Sequence, residues 1–326
     1  MPTRRQTLSF ALAAGLAPSV ARAQAWTPSR PLRMVVPFAP GGSNDIVGRI
    51  IADAAAQTLG QPIVIENRAG AGSMIGTELV ARAAPDGHTI LINSAQATVP
   101  AIVARVPYDA VKDFAGIAVA GFSPHVLVVN PRVQARTVQE LIALLKANPG
   151  RYNFGAAGIG SGTHIAIELF RSVTGVQTEL VQYRGGGPSV VAMVGGEVEL
   201  GAPTMASSIS QVRAGGLRAL AVLAEQRTPA LPEVPSAVEA GIPQVIFEEF
   251  FPILAPAATP APAVTALGAA FQGAIRANAA RLTELAGVTP RPGYETSEQV
   301  MTLVREGVER YSKILRDAGV PLQEPG

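Results

Sequence analysis

Apolar residues along the chain form short unbroken runs that alternate with longer stretches of helical spacing. The run LRMVVPF (32–38) is followed by a stretch that ends at Gly60. In this stretch the residues of one helix face recur at helical spacing: Val47, Ile50, Ile51, Ala54 and Thr58. PIVIEN and HTILINS are further runs, and SMIGTELVARAA between them has helical spacing. Unbroken runs are typical of strands covered on both faces, and helical spacing is typical of amphipathic helices. This part of the chain therefore predicts repeated strand–helix units.

The same alternation continues towards the C-terminus. Further strands are predicted at HVLVVN, YNFGAAGIGSG, TELVQYR, VELGAPT and LRALAVLA. The helices predicted among them are TVQELIALLKANPG, THIAIELFRSVTG, GGGPSVVAMVGG and MASSISQVRAGG. Two more helices follow, VTALGAAFQGAIRANAA and TSEQVMTLVREGVERYSKILRDAG. Strands that alternate with helices predict α/β domains with mostly parallel sheets.

The length predicts how these units are divided. At about 150 residues per domain, the 326 residues predict roughly two domains. No loose linker near the middle separates two consecutive domains, so we expect the chain to cross between them on strands or short segments. The expected crossings are GFSPHV (121–126) and EEFFPIL (248–254).

The first 23 residues have the pattern of a secretory signal peptide. Arg4 and Arg5 precede the short apolar stretch LSFALAAGLAPSVA, and Ala21-Arg22-Ala23 is a small-x-small cleavage pattern that would leave Gln24 at the mature N-terminus. A retained anchoring helix is the alternative interpretation. The segment TRRQTL also resembles a twin-arginine signal, so the pattern predicts export without deciding between export routes.

The charge balance changes once this leader is set aside. The whole chain carries a net charge of +2, and the leader holds three arginines and no acid, which leaves −1 on the mature chain. A nearly neutral chain does not predict a surface for nucleic acid or anionic membrane. The sequence has no cysteine, which excludes disulfides and thiolate metal sites.

A glycine turn after the first strand is the main candidate for chemistry. Pro40-Gly41-Gly42-Ser43-Asn44-Asp45 leads into a helix start, where unbonded amides and the helix dipole favour an anion. Asp45 would cap the helix or brace the loop. Similar turns recur at NRAGAGSM (67–74), AAGIGSGTH (156–164) and YRGGGP (183–188). An ordinary βα turn is the alternative for each, but several such turns at one sheet edge predict a cleft for a small carboxylate.

The sequence contains no phosphate-binding lysine loop, dinucleotide fingerprint, nucleophile elbow or HExxH pattern, so we expect neither a cofactor nor a metal. His164 could face the ligand or brace its loop, and His88 marks a strand start. An exported hydrolase or lyase remains an alternative, with Asp45, His164 or Glu168 as general base. A sensory partner that presents bound ligand to a membrane receptor is another alternative.

Taken together, these motifs resemble the substrate-binding proteins of tripartite tricarboxylate transporters, the Bug-type receptors. The stretches that carry the resemblance are RMVVPFAPGGSNDIVGRIIA, VIENRAGAGSMIGTELVARAAPDGHTIL, VPYDAVKDF, GAAGIGSGTHIAIELF, YRGGGPSVVAMVGGEVEL, VRAGGLRALAV and LPEVPSAVEAGIP. The resemblance implies a periplasmic protein that binds a small organic acid, delivers it unaltered to transporter membrane subunits and is not an enzyme. We expect a monomer.

The resemblance also implies the domain organisation. It predicts a two-lobed periplasmic binding protein fold, type II-like, with two Rossmann-like lobes joined by two crossover segments. Residues 1–23 would be the signal peptide, residues 24–122 and 250–326 would form lobe 1, and residues 123–249 would form lobe 2.

The family pattern implies a set of ligand-binding residues on these turns. The ligand carboxylate would meet the first turn, and the other turns would complete the pocket. The implied residues are Phe38, Pro40, Gly41, Gly42, Asp45, Ser94, Gln96, Gly160, Ser161, Thr163, His164, Tyr183, Gly185 and Thr204.

Two residues depart from the family pattern. Relatives often carry Asp where this chain has Pro203 and His where it has Gln96. The first difference disfavours an amino-acid ligand, although Thr204 could still hydrogen-bond, and the identity of the acid stays open.

Overall fold

The structure, a computed structural model, describes residues 26–324, which form two β-sheets flanked by helices. The predicted signal peptide (residues 1–23) and the two residues after it lie outside the described residues. We call the units around the two sheets lobe 1 and lobe 2.

The elements alternate as the apolar pattern predicts. The strands are β1 Leu32–Val36, β2 Ile63–Asn67, β3 Thr89–Ile92, β4 Phe114–Pro124, β5 Val126–Val129, β6 Asn153–Ala156, β7 Glu179–Gln182, β8 Leu200–Gly201, β9 Arg218–Val222 and β10 Glu248–Pro256. The helices are α1 Ser43–Leu59, α2 Met74–Ala81, α3 Val99–Ile102, α4 Val138–Ala147, α5 Gly162–Thr174, α6 Gly186–Gly195, α7 Met205–Arg213, α8 Ala261–Ala277, α9 Ala279–Ala286 and α10 Ser297–Asp317. Short 3₁₀ turns lie at Ala71–Ser73, Ser94–Gln96 and Pro243–Val245.

Each sheet is mixed, which corrects the prediction of mostly parallel sheets. Lobe 1 has the strand order β2-β1-β3-β10-β4, and lobe 2 has the order β7-β6-β8-β5-β9. The pairs β1–β2, β1–β3, β6–β7 and β6–β8 are parallel, whereas β10 and β5 are antiparallel to both of their neighbours. The antiparallel pairs arise because β10 and β5 arrive from the opposite lobe and not from a local strand–helix unit.

The two passages between the sheets lie on these strands. β4 ends at Pro124 in the first sheet and β5 begins at Val126 in the second, so His125 alone separates them. The chain returns after β9 and pairs β10 with β4 from Glu248–Pro124 to Pro256–Phe114. Both crossings lie at the places predicted from the sequence, whereas β4 as one long strand was not predicted.

Burial on both faces explains why the central strands are unbroken apolar runs. Met34, Val35 and Val36 of β1 are fully buried. The helix α1 covers Met34 and Val36 with Val47, Ile51 and Ala55, whereas Val35 packs into the core on the other face of the sheet. The first helix is thereby fixed on the sheet, and its N-terminus is held at the carboxyl edge of the strands.

The C-terminal helices differ from prediction at one point. The stretch predicted as a single helix after residue 263 is divided at Asn278, which separates α8 from α9 and donates its side-chain amide back to Ala274 O at 2.9 Å. The longer α10 follows the prediction, with Val300, Val304 and Tyr311 buried against lobe 1. Within residues 26–324, no helix is both long and apolar enough to cross a membrane.

Candidate functional site

Four helices begin at one cavity between the two lobes. The empty space between its lining atoms is about 320 Å³, which includes the part open to solvent. The helix starts at Ser43 (α1), Gly162 (α5) and Gly186 (α6) line it directly, and Thr204, which precedes α7, lines it as well. Each helix start concentrates unbonded amides and partial positive charge, so the four together favour an anion.

Several amides at these helix starts are available to a ligand. Within the described part of the chain, the amides of Ser43, Asn44, Thr163, Gly186 and Gly187 donate to no protein acceptor. Backbone amides approach an oxygen closely where no side chain intervenes, which explains the glycines at these turns. The site can therefore hold a carboxylate without any cationic side chain in its lining.

Asp45 braces the first turn and does not cap the helix. The N-cap of α1 is Gly42, and the Asp45 carboxylate accepts hydrogen bonds from the Gly41 amide at 3.0 Å and from Asn67 Nδ2 at 3.1 Å. It also pairs with Arg49 at 3.0 Å. Burial raises the pKa of Asp45, but the hydrogen bonds from Arg49, Gly41 and Asn67 outweigh this and hold the pKa below its usual value. Of the two roles predicted for this residue, bracing is confirmed and capping is wrong.

The turn before α5 is held by its own side chains. Ser161 is the N-cap, and its hydroxyl accepts from the His164 amide at 3.3 Å. The His164 Nδ1 atom accepts from the Gly160 amide at 3.1 Å. Burial, together with the charge of Arg171, lowers the pKa of His164 to about 4, so the imidazole stays neutral. His164 therefore braces its loop, which is one of the two roles predicted for it.

The lobes touch on both sides of the cavity. The Ala39 amide donates to Arg184 O at 3.0 Å, and the Gly42 Cα lies beside the amides of Gly186 and Gly187. On the other side, Gly72 packs against the backbone of Ile159 so closely that a Cβ would overlap it. The described structure therefore has its lobes in contact around the cavity.

The structure brings six of the predicted ligand-binding residues together at the cavity. These residues are Phe38, Gly42, Ser94, Ser161, Thr163 and Thr204. They come from separate turns of both lobes, which are far apart in the sequence and adjacent in the fold.

The remaining predicted residues lie outside the cavity lining. Some support the lining: Pro40 and Gly41 precede Gly42 in the same turn, Asp45 and His164 brace their turns, and Gly185 is the N-cap of α6. Gly160 packs on Val99, within van der Waals reach of its side chain. Gln96 turns away into the protein, where its Nε2 donates to Ala110 O at 2.9 Å. Tyr183 lines an adjoining cavity that shares Phe38 with the first.

Seven lining residues were not predicted. They are Ser43, Asn44, Ala157, Gly162, Gly186, Ser207 and Glu249. Most are neighbours of predicted residues in the same turns, so the turn pattern could have included them. Glu249 is different, because it lies on β10 and belongs to no glycine turn.

The three candidates for a general base are engaged elsewhere. Asp45 is held by the first turn, Glu168 pairs with Arg171 at 2.7 Å, and His164 is bound to its own loop. None of the three lines the cavity. In the part of the chain that the structure describes, no cluster of three His, Cys, Asp or Glu side chains could hold a metal ion.

The sequence matches the family described as "Tripartite tricarboxylate transporter family receptor" over residues 47–320. Among solved structures, the periplasmic binding protein BugD is 29% identical, with a TM-score of 0.86 over 91% of this chain and all of that one (100%). This similarity confirms the predicted two-lobed periplasmic binding protein fold.

Two further similar structures contain ligands. MatC from Rhodopseudomonas palustris, with bound malate, is 32% identical, with a TM-score of 0.84 over 88% of this chain and 99% of that one. The R. palustris protein Rpa4515, with adipate, is 30% identical, with a TM-score of 0.83 over 90% of this chain and 98% of that one.

Proposed function

Because the chain belongs to the tripartite tricarboxylate transporter receptor family, we propose that it is a periplasmic receptor that captures a small organic acid between its lobes. It would release the acid unaltered to the membrane subunits of a tripartite tricarboxylate transporter. The leader pattern, with cleavage near Ala23, supports export to the periplasm. We propose a monomer, with lobe boundaries near residues 123 and 249.

One observation carries this proposal: helix starts from both lobes face a single cavity whose lining contains no Lys or Arg among the described residues. Each helix start stabilises an anion beside it by roughly 0.3–2 kcal/mol when the geometry is favourable. A carboxylate that contacts amides from both lobes stabilises the closed arrangement over an open one. Binding and closure are then a single event.

The ligands of the relatives support a carboxylate. MatC holds malate and Rpa4515 holds adipate, and both share this fold over most of their length. We propose that the ligand carboxylate meets the amides of Ser43 and Asn44 at the α1 turn, while Thr163 and Thr204 contact the rest of the molecule from lobe 2. Water is excluded when the lobes close, which strengthens each of these hydrogen bonds.

The test is a binding screen on protein freed of ligand by unfolding and refolding. Thermal shift against mono- and dicarboxylates, aromatic ones included, identifies binders, and titration calorimetry measures their Kd. We expect saturable binding of at least one acid with a rise in Tm. A correctly refolded protein that no organic acid stabilises would contradict the proposal.

A further inference from the structure

Glu249 is the one charged residue in the cavity lining of residues 26–324, and the proposed function gives it no role. It lies on β10 beside the passage between the lobes, and its side chain is only 4% exposed. A carboxylate in a cavity for acids requires an explanation, because two ionised carboxylates repel and neither can donate a hydrogen bond.

One oxygen of this carboxylate occupies a helix start. Glu249 Oε1 accepts a hydrogen bond from the Gly162 amide, the first residue of α5, at 3.0 Å. A Cβ on Gly162 would overlap the Glu249 carboxylate, so glycine is needed for this approach. One of the lobe 2 amides that a ligand carboxylate could take is therefore already used by the protein itself.

The other oxygen faces a fixed imidazole. His125 Nδ1 lies 2.6 Å from Ala202 O, and because a carbonyl only accepts, Nδ1 is the donor. This hydrogen bond directs Nε2 towards Glu249 Oε2, 3.5 Å away, and Nε2 has no hydrogen-bond partner among the described residues. The fully buried imidazole lies beside Oε2 without a hydrogen bond to it, and the hydrogen bond from the Gly162 amide fixes the carboxylate.

The α1 turn lines the cavity from lobe 1, whereas Glu249 lies at the start of α5 in lobe 2, so a ligand held between the lobes meets different groups on the two sides. At the α1 turn it meets free amides, which bind an anion. The Glu249 carboxylate offers only acceptor oxygens, so a ligand group that contacts it must bring its own proton. A second carboxylate would place acceptor against acceptor in a buried site, where such an arrangement is most costly.

We propose that Glu249 is a specificity-determining residue that selects monocarboxylates carrying a hydroxyl or amine at the far end and disfavours dicarboxylates that reach it. This inference rests on the proposed function, since it assumes that the cavity binds an acid. The proposed ligand class differs from the ligand of the similar structure Rpa4515, because adipate has a carboxylate at each end.

The test compares two matched ligand series on the full mature chain, freed of ligand. The first series is succinate, glutarate and adipate, and the second is the ω-hydroxy monocarboxylates of the same chain lengths. For the chain length that binds best, we expect the wild-type protein to bind the hydroxy acid at least about tenfold more tightly than the diacid. The variant Glu249→Gln removes the charge that repels a second carboxylate, so the preference should shift towards the diacid by at least about tenfold.

The matched control is Glu248→Gln, the same change at the neighbouring residue. Glu248 forms an ion pair with Arg291 at 2.6 Å outside the cavity, and its replacement should leave the preference unchanged. Diacids that bind the wild-type protein as tightly as hydroxy acids would overturn this inference alone, even if Glu249→Gln failed to fold. The absence of binding by every acid of both series would overturn the receptor proposal and this inference together.

Discussion

Asn44 and Ser94 are joined by two hydrogen bonds across the floor of the cavity: Asn44 Nδ2 donates to Ser94 Oγ at 3.0 Å, and the Ser94 amide donates to Asn44 Oδ1 at 2.8 Å. Both residues are buried and both line the cavity. The pair fixes the start of α1 to the turn after β3, so two turns from separate strands act as one surface. Its integrity should matter for both stability and binding.

Replacing Asn44 by Ala removes both hydrogen bonds and leaves the Ser94 amide buried without a partner. We expect a loss of about 1–3 kcal/mol in the free energy of unfolding. Ligand affinity should fall at least about tenfold, because the α1 turn loses its position. Urea unfolding and calorimetry measure the two effects.

Asn148→Ala is the control for that variant. Asn148 Nδ2 also donates a partly buried hydrogen bond, to Leu144 O at 2.9 Å. Asn148 lies at the end of α4, outside the cavity lining. This variant should lower stability without changing affinity. Equal affinities for Asn44→Ala and wild type would contradict the role given to the pair.

Gly42→Ala tests the close approach of the two lobes. Gly42 has extended backbone angles that any residue adopts, and a Cβ there would lie 3.5 Å from the amides of Gly186 and Gly187. The methyl group would cover these amides without straining the fold. We expect the Tm to stay unchanged and the affinity to fall at least about tenfold, and Gly42→Val should abolish binding.

The control for this prediction is Gly273→Ala in α8. A Cβ at Gly273 meets nothing within 4 Å, so it should leave affinity unchanged and, as a helical position, gain about 0.5–1 kcal/mol in stability. If Gly42→Val retained wild-type affinity, the amides of Gly186 and Gly187 would not belong to the ligand site.

Asp45→Asn tests the brace of the first turn. The variant loses the charge that three neighbours stabilise. We expect its free energy of unfolding at neutral pH to be lower than that of the wild type by about 1–2 kcal/mol. Because the pKa of Asp45 is held below its usual value, this contribution is present above the pKa of the unfolded chain, about 3.9, and is lost as the pH falls through the folded pKa.

Urea unfolding at a series of pH values checks this dependence. The difference in unfolding free energy between wild type and Asp45→Asn should be constant above about pH 5 and should shrink on further acidification. A difference that is already small at neutral pH would show that the turn does not depend on this carboxylate.

His164 should make stability depend on pH in a higher range. Its pKa is lowered by burial to about 4, whereas the unfolded chain titrates near 6.5. Between these values the unfolded chain binds more protons, so the free energy of unfolding falls with falling pH, by up to about 1.4 kcal/mol per pH unit. Subtracting the profile of His164→Gln isolates this slope, and identical profiles would exclude a buried neutral imidazole.

Much of the cavity could be predicted from the sequence because its parts are local. A glycine turn between a strand and a helix can be recognised from a few residues, and the turns that contain Gly42, Ser161 and Gly186 all reach the site. Which neighbours face the ligand is decided by helix direction: Ser43 and Asn44 point in, while Asp45 turns back to Asn67. The direction of each side chain depends on the three-dimensional arrangement of the turn, which the residue pattern does not give.

Other features depend on contacts far apart in the sequence. Glu249 enters the site because β10 crosses between lobes and brings it to Gly162, and no local pattern marks a buried glutamate. The length of β4 was missed because Gly121 and Pro124 are usual strand breakers, whereas pairing with β10 carries the strand through both. The break at Asn278 was missed for another reason, since the helical spacing of apolar residues continues past it.

The strands β4 and β10 carry both passages between the lobes, and they are antiparallel neighbours over their whole paired length. A change in the angle between the lobes must therefore turn about one common axis that runs beside this ribbon. Glu249 lies on this ribbon and the Gly162 amide lies at the start of α5, so a rotation that moved α5 away from the ribbon would break the hydrogen bond between them.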